Sequence, residues 1–477
     1  MSGADAQAFL EKYPLQTIYE SIPSDSEGID DLADVLNRVF ATTYGAGVLP
    51  AAGALSGRLS GNVQPRQVAG TLISALTDLD TGVAAEAAAT LTRLASAPDG
   101  YELLVGEGAR QHLQQVLASS DPSIRMRGLS LLASLASVAQ DNVRALHESG
   151  LLQPLQAELA NTADVLTCST ALALVGELSE ASSNTSLALG ALLEPQLNAL
   201  QRNADPFLRS QALKVSATLL ALSAQQPTGG VANGHAGSVG GPFALLQSLA
   251  ELLDPDSLAE PSADLVEAAL NAVSRLGAST YGAELFFADA HGLPGHVATL
   301  ALGRAGGTQI RTAAVHALGI VAGATRADFA MSASAEDTFR QVTFTAAAGP
   351  SGFQDPADVL LGYLRQPFAD LRTGGYRLLR ALAQRTWGAA EICRNTPLLE
   401  RLGNPGSETT AQEWRFAVVQ ALAKTVREAT GADLANGASV QRDALRAAAP
   451  QVERAMQQGM YGRGAASQRP PDVALMT

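Results

Sequence analysis

A chain of 477 residues is longer than the roughly 250–300 residues over which one hydrophobic core grows, so it must split into domains or repeat itself. Alanine, leucine and glycine dominate, aromatics make up 5 % and β-branched runs are scarce, which favours helix over sheet. The net charge is −14, lysine is rare and arginine is scattered, so no basic face can track a phosphate backbone and nucleic acid is excluded as a partner.

Cys168 and Cys393 stand 225 residues apart inside helical patterns and read as small buried apolar residues, with no disulfide framework. The opening MSGADAQAFLEKYPLQ lacks a basic segment followed by an apolar one, and no run reaches the roughly 18 apolar residues of a membrane span. A cytoplasmic place, extending to the nucleus, is expected, with no membrane contact.

In chain order, residues 1–60 hold short helical candidates, among them DDLADVLNRVF at 30–40, where Leu32, Val35, Leu36, Val39 and Phe40 share a stripe. This reads as an N-terminal cap. From there to residue 458 an apolar helical box recurs eight times, ending at Leu94, Leu135, Leu178, Leu222, Leu276, Val321, Leu382 and Val426. The spacings are 41, 43, 44, 54, 45, 61 and 44 residues. A period of about 40–47 residues is that of armadillo and HEAT repeats, whose units bury their apolar faces only by stacking. The expected fold is therefore an all-α, right-handed armadillo/HEAT-type solenoid of about eight degenerate repeats spanning 61–458.

The clearest unit, at 119–152, begins with Asp121 and Pro122 as a helix start and ends at Gly150 as a left-handed stop. Its exit segment QDNVRALHESG resembles the armadillo consensus of an asparagine turn and a short first helix closed by glycine. Two stretches, 227–242 and 325–357, explain the long spacings and read as loop insertions, the first glycine-rich, the second carrying some helix before Gly-Pro-Ser-Gly. Residues 459–477 read as a disordered tail or an extended strap.

No nucleophile elbow, phosphate loop or paired-histidine metal helix is present, so no enzyme, cofactor or metal is expected. Gly234, Gly237 and Gly240 sit in low-complexity sequence, and His291 and His296, five apart around Pro294, read as loop and cap residues. The informative positions are geometric instead. In an armadillo unit the third helix lines the groove, and the residue before each box end, or one turn earlier, should face it. That selects Arg93, Ser134, Glu177, Asn271, Arg275, His316, Arg377 and Thr425, a set suited to an acidic or mixed-charge partner.

The segment from Asp358 to Glu428 is more distinctive. Gln366-Pro367-Phe368 opens a repeat, Leu371 starts an amphipathic helix, Trp387 lies near its end, Pro397 precedes the next helix, and Ala421-Leu422-Ala423 marks the last repeat. With Gly459-Met460-Tyr461 opening the polar tail, this resembles the proteasome non-ATPase regulatory subunit 5 family, armadillo-like chaperones of 26S proteasome base assembly. Residues 1–60, 227–242 and 325–357 depart from that pattern. The resemblance implies a cytosolic, cofactor-free monomer that binds the C-terminal domain of one base ATPase subunit and leaves before the mature particle forms, with energy supplied by the ATPases. Trp387 itself reads as a core residue at a repeat junction. An armadillo adaptor for another helical or extended partner stays open, although Trp387 and Trp414 lack the following asparagine typical of transport receptors.

Overall fold

The computed structural model describes residues 3–13, 35–36, 38–39, 65–96, 100–139, 142–181, 183–223, 241–258, 262–303, 306–349, 355–431 and 439–462. Among these there is no strand, and the fold is an all-α stack of armadillo type. Contacts divide it into two units, residues 1–197 and 198–477, where a single array over 61–458 is the expectation from sequence.

In the first unit, α1 (Gly3–Lys12) precedes α2 (Pro65–Ala75) and α3 (Thr81–Ala95). Two three-helix modules follow: α4 (Gly100–Val105), α5 (Glu107–Leu117) and α6 (Pro122–Val138), then α7 (Asn142–Glu148), α8 (Gln153–Ala160) and α9 (Val165–Ala181). The long helix α10 (Ser183–Gln201) then takes the place of a first and second helix together, with Pro195 inside it. Of the N-terminal cap, α1 and the helical residues 35–36 and 38–39 fall within the described residues, with Leu36 and Val39 buried.

In the second unit, α11 (Pro206–Ser223), α12 (Gly241–Leu253) and α13 (Ala263–Leu276) lead into three complete modules. These are α14 (Thr280–Phe287), α15 (Leu293–Leu302) and α16 (Thr308–Val321); α17 (Ala333–Ala348), α18 (Pro356–Leu364) and α19 (Ala369–Ala383); and α20 (Thr386–Arg394), α21 (Thr396–Gly403) and α22 (Gln412–Gly431). Helix α23 (Ser439–Gln458) covers the last module by packing on α20, α21 and α22.

All eight apolar boxes are third helices of modules. Their ends are buried except at Leu222, which is half-buried. Third helices pack on one another in sequence: α3 on α6 and α6 on α9 in the first unit, and α11, α13, α16, α19 and α22 in the second. This inner layer is tight because glycine allows it. A Cβ on Gly277 would meet the Val321 Cα at 2.5 Å, so α13 and α16 touch through backbone there.

The helix boundaries obey capping chemistry. Asp121 accepts from the Ser123 amide at 2.8 Å with Pro122 at the first position, and Ser262 and Ser279 cap α13 and α14 likewise. Gly150, at φ 77°, ends α7 with amide bonds from Gly150 to the His147 carbonyl and from Leu151 to that of Leu146. The Asn142 amide donates to the Leu135 carbonyl at 2.6 Å and closes the asparagine turn.

The reading of 325–357 as an insertion is corrected. Its centre is α17, the first helix of its own module, 16 residues long where α14 has 8. Phe339, Thr343, Ala346 and Ala347 bury one face of it against α14 and α15. Polar threonines and the following Gly-Pro-Ser-Gly masked that stripe in the sequence. The insertion at 227–242 falls outside the described residues except for its last two, which begin α12, and the tail is described only to Gly462.

A second periodicity escaped the sequence reading. The fourth residue of the third helix is arginine in five modules: Arg125, Arg209, Arg311, Arg372 and Arg415. Arg125 Nη1 donates to the Ser119 and Ser120 carbonyls at 3.0 and 3.1 Å, and Arg372 Nη1 to those of Gln366 and Pro367 at 3.0 and 2.8 Å. Each thereby clips the turn between second and third helix. Both also reach forward, Arg125 to Glu158 on α8 of the next module and Arg372 to Glu408 just before α22.

Candidate functional site: the inner helix faces

The groove positions inferred from sequence lie on the third helices, and most are where the helical period puts them. In the first unit Arg93 and Glu177 are exposed on α3 and α9. Ser134 lines a cleft of about 290 Å³ between α3 and α6, floored by Ala88, Thr92, Met126 and Ser130, with its hydroxyl turned back to the Ser130 carbonyl at 3.1 Å. Arg127, at the edge of that cleft, donates to the Leu76 carbonyl at 2.9 Å and holds the preceding turn.

In the second unit Asn271 and Arg275 are exposed and share a larger cleft, about 590 Å³, with Ser210, Gln211 and Lys214 of α11 and Ile320 of α16. His316 and Arg377 meet one helix further on. Arg377 Nη1 lies 3.0 Å from His316 Nδ1, and His316 Nε2 lies 3.0 Å from the Asp370 carbonyl. A guanidinium can only donate, so Nδ1 accepts and Nε2 carries the proton given to Asp370. Burial, and then the Arg377 charge, hold the His316 imidazole below its ordinary value, so the ring stays neutral. Gly374 leaves room for it, since a Cβ there would come within 3.3 Å of the imidazole.

Arg377 continues onto the face of Trp414, with its guanidinium carbon 4.7 Å from the ring centroid, and Arg380 approaches the same ring at 5.9 Å. Position before box end did not select Trp414, Lys214 or Arg380. The signal was the helical period itself: Lys214 stands eight residues before Leu222, two further turns along the stripe that passes through the inner face.

Thr425 is a correction. It is buried, and its hydroxyl donates to the Ala383 carbonyl at 2.7 Å, tying α22 to the end of α19. The helix α22 turns Gln420 and Lys424 outward instead, so the residue before the box end points at the neighbouring helix. His296 is also more than a cap: within the first turn of α15 its Nδ1 lies 3.1 Å from the Ala250 carbonyl of α12.

Trp387 is a core residue as read. Its indole donates to Glu336 at 3.0 Å, and Arg385, also buried, pairs with the same carboxylate at 2.7 Å. The ring packs edge-on to Phe339 at 5.6 Å, joining α20 to α17. Among the described residues no group of three or more His, Cys, Asp or Glu side chains is placed to hold a metal ion, and no helix is long and apolar enough to cross a membrane.

Residues 61–201 match a family model described as proteasome non-ATPase 26S subunit. The match covers the first unit's modules, not the 358–428 stretch that carries the likeness seen in the sequence. No curated protein matches the chain significantly. Among solved structures, an engineered protein is similar at 16 % identity and TM-score 0.43, covering 94 % of this chain and 99 % of that one. A designed armadillo repeat protein in complex with the peptide (KR)4 is similar at 16 % identity and TM-score 0.35, over 53 % of this chain and 98 % of that one. A chain from a study of the cadherin and beta-catenin interaction is similar at 15 % identity and TM-score 0.35, over 95 % and 96 %.

Proposed function

We propose that the chain is a non-catalytic assembly chaperone of the 26S proteasome base, which binds the C-terminal domain of one ATPase subunit and leaves before the mature regulatory particle forms. The observation that carries this reading is the match of residues 61–201 to the proteasome non-ATPase subunit model. The likeness of 358–428 and of Gly459-Met460-Tyr461 to the subunit 5 family supports it from the other end of the chain. Stacked helices with open inner faces suit the task, because holding an unfinished interface needs surface and no chemistry. Arg93, Ser134, Glu177, Asn271, Arg275, His316 and Arg377 are the partner-facing residues in this reading.

The test is purification of the tagged chain from cells. Free base ATPase subunits should accompany it without the proteolytic core. Recovery of only unrelated proteins would replace the chaperone reading with that of an armadillo scaffold for another helical or extended partner.

A further inference from the structure

The charges of the second unit's inner face are sorted along the helices. On α19 the partly exposed stripe runs Asp370, Thr373, Arg377, Arg380, from an acid at the start to cations further on. On α13 it begins with Asp264 and Glu267 and ends with Arg275. Lys214 holds the middle of α11. The carboxylates thus occupy one rim, while Lys214, Arg275, Arg377 and Arg380 occupy the floor and the opposite half.

Among the described residues none of these four cations is ion-paired, whereas buried Arg385 and half-buried Arg372 and Arg125 each hold a carboxylate. The cleft that contains Lys214 and Arg275 has no acidic residue in its lining. A chain with net charge −14 has acids to spare for four arginines and lysines, so their unpaired state marks a face kept for an outside anion. Arg377 is moreover held in place, by His316 on one side and Trp414 on the other, which removes much of the entropy a free arginine loses on binding.

We infer that this face binds an extended, acidic peptide segment of a protein partner. The register follows from helix packing. Neighbouring inner helices lie about 8–10 Å apart and an extended chain advances about 3.3 Å per residue, so one module corresponds to about three peptide residues. Lys214 and Arg275 sit on successive inner helices. Arg377 and Arg380 sit two helices beyond, on α19, and at the matching place on the intervening α16 stands His316, whose Nδ1 is taken by Arg377. The matching segment therefore carries acids at positions 1, 4 and 10, about three and then six residues apart. The reversed spacing, 1, 7 and 10, fits only a chain running the other way.

This deepens the proposed chaperone reading by naming what one face takes, and its test is separable. Twelve-residue fluorescent peptides with glutamate at 1, 4 and 10, or at 1, 7 and 10, and a peptide with glutamine at all three positions are titrated with the full-length protein at low salt. One glutamate peptide is expected to bind at least tenfold more tightly than the glutamine peptide, with affinity falling as salt rises. Lys214→Glu with Arg275→Glu, both at exposed sites, should remove at least tenfold while the melting temperature holds. In a Trp387→Phe background, the Trp414 emission should change on titration, which a merely nonspecific charge effect at α11 would not produce. Equal affinity for glutamate and glutamine peptides, or unchanged binding by the double variant, overturns the inference. ATPase subunits that co-purify equally with wild type and the double variant also overturn it, and leave the chaperone reading standing.

Discussion

Single residues carry more of this fold's specificity than its low aromatic content suggests. Glu408 is almost fully buried, and burial alone would raise its carboxyl, yet the Arg372 guanidinium, the Thr410 amide and hydroxyl, and the Ala411 amide outweigh that and lower it to about 2. A carboxylate depressed in the folded state stabilises above its unfolded value, near 4.5, and loses that contribution as pH falls towards about 2. Thermal melts between pH 5 and 2 should therefore show a steep loss in the wild type and a flatter one in Glu408→Gln, which starts from a lower melting temperature at pH 7. Leu135, fully buried at a box end, gives the apolar counterpart: Leu135→Ala should cost roughly 2–5 kcal/mol by chemical denaturation, and a change below about 1 kcal/mol would place the box out of register.

At the scale of elements, packing of modules depends on where backbone may touch backbone. Gly277 at the end of α13 lies against α16, and its φ of −68° is ordinary, so the demand on this position is purely steric. Gly277→Val should destabilise by about 1–3 kcal/mol or more, as overpacking does, while Gly295, with open space around its Cα, should accept alanine with little change. Denaturant midpoints of the two variants check this. The third helices were legible because each buries a stripe with a 3.6-residue period, and five of the eight (α3, α6, α9, α11 and α13) begin at an Asp, Ser or Pro. Helix α17 was not, since its buried face includes Thr343 and small alanines and its flanks look like loop. Phe339→Ala, expected to cost about 3–5 kcal/mol, would confirm by denaturation that this helix is core.

Over the whole molecule, period and composition were enough to anticipate an all-α armadillo-type stack, but not its division into two units or the merging of two helices into α10. Exposure on the third helices was legible where the residue before a box end stays open to solvent, as at Arg275, and failed at Thr425, where a hydroxyl finds a carbonyl on the neighbouring helix. Contacts across modules, such as Arg377 to His316 and Trp414, join residues 37–61 apart and leave no local trace in sequence. Charge reversal at Arg275 and Arg377 together should weaken capture of base ATPase subunits while helicity by circular dichroism holds, with reversal of Arg144 and Glu148 on α7 as the control.

The forward-reaching arginines have a consequence for how such a chain can change length. Arg125 and Arg372 each neutralise a carboxylate that belongs to the following module, and Glu158 and Glu408 are nearly shut off from water. Excising one module in frame would leave an arginine facing a stranger and, one step along, a buried acid with no counter-ion, a loss of about 3–5 kcal/mol for each broken pair. Modules joined in this way are not interchangeable beads. The array is spliced like a sentence whose verbs agree with the next clause, so growth or shrinkage by whole units is penalised and its repeats are free to drift apart only in place.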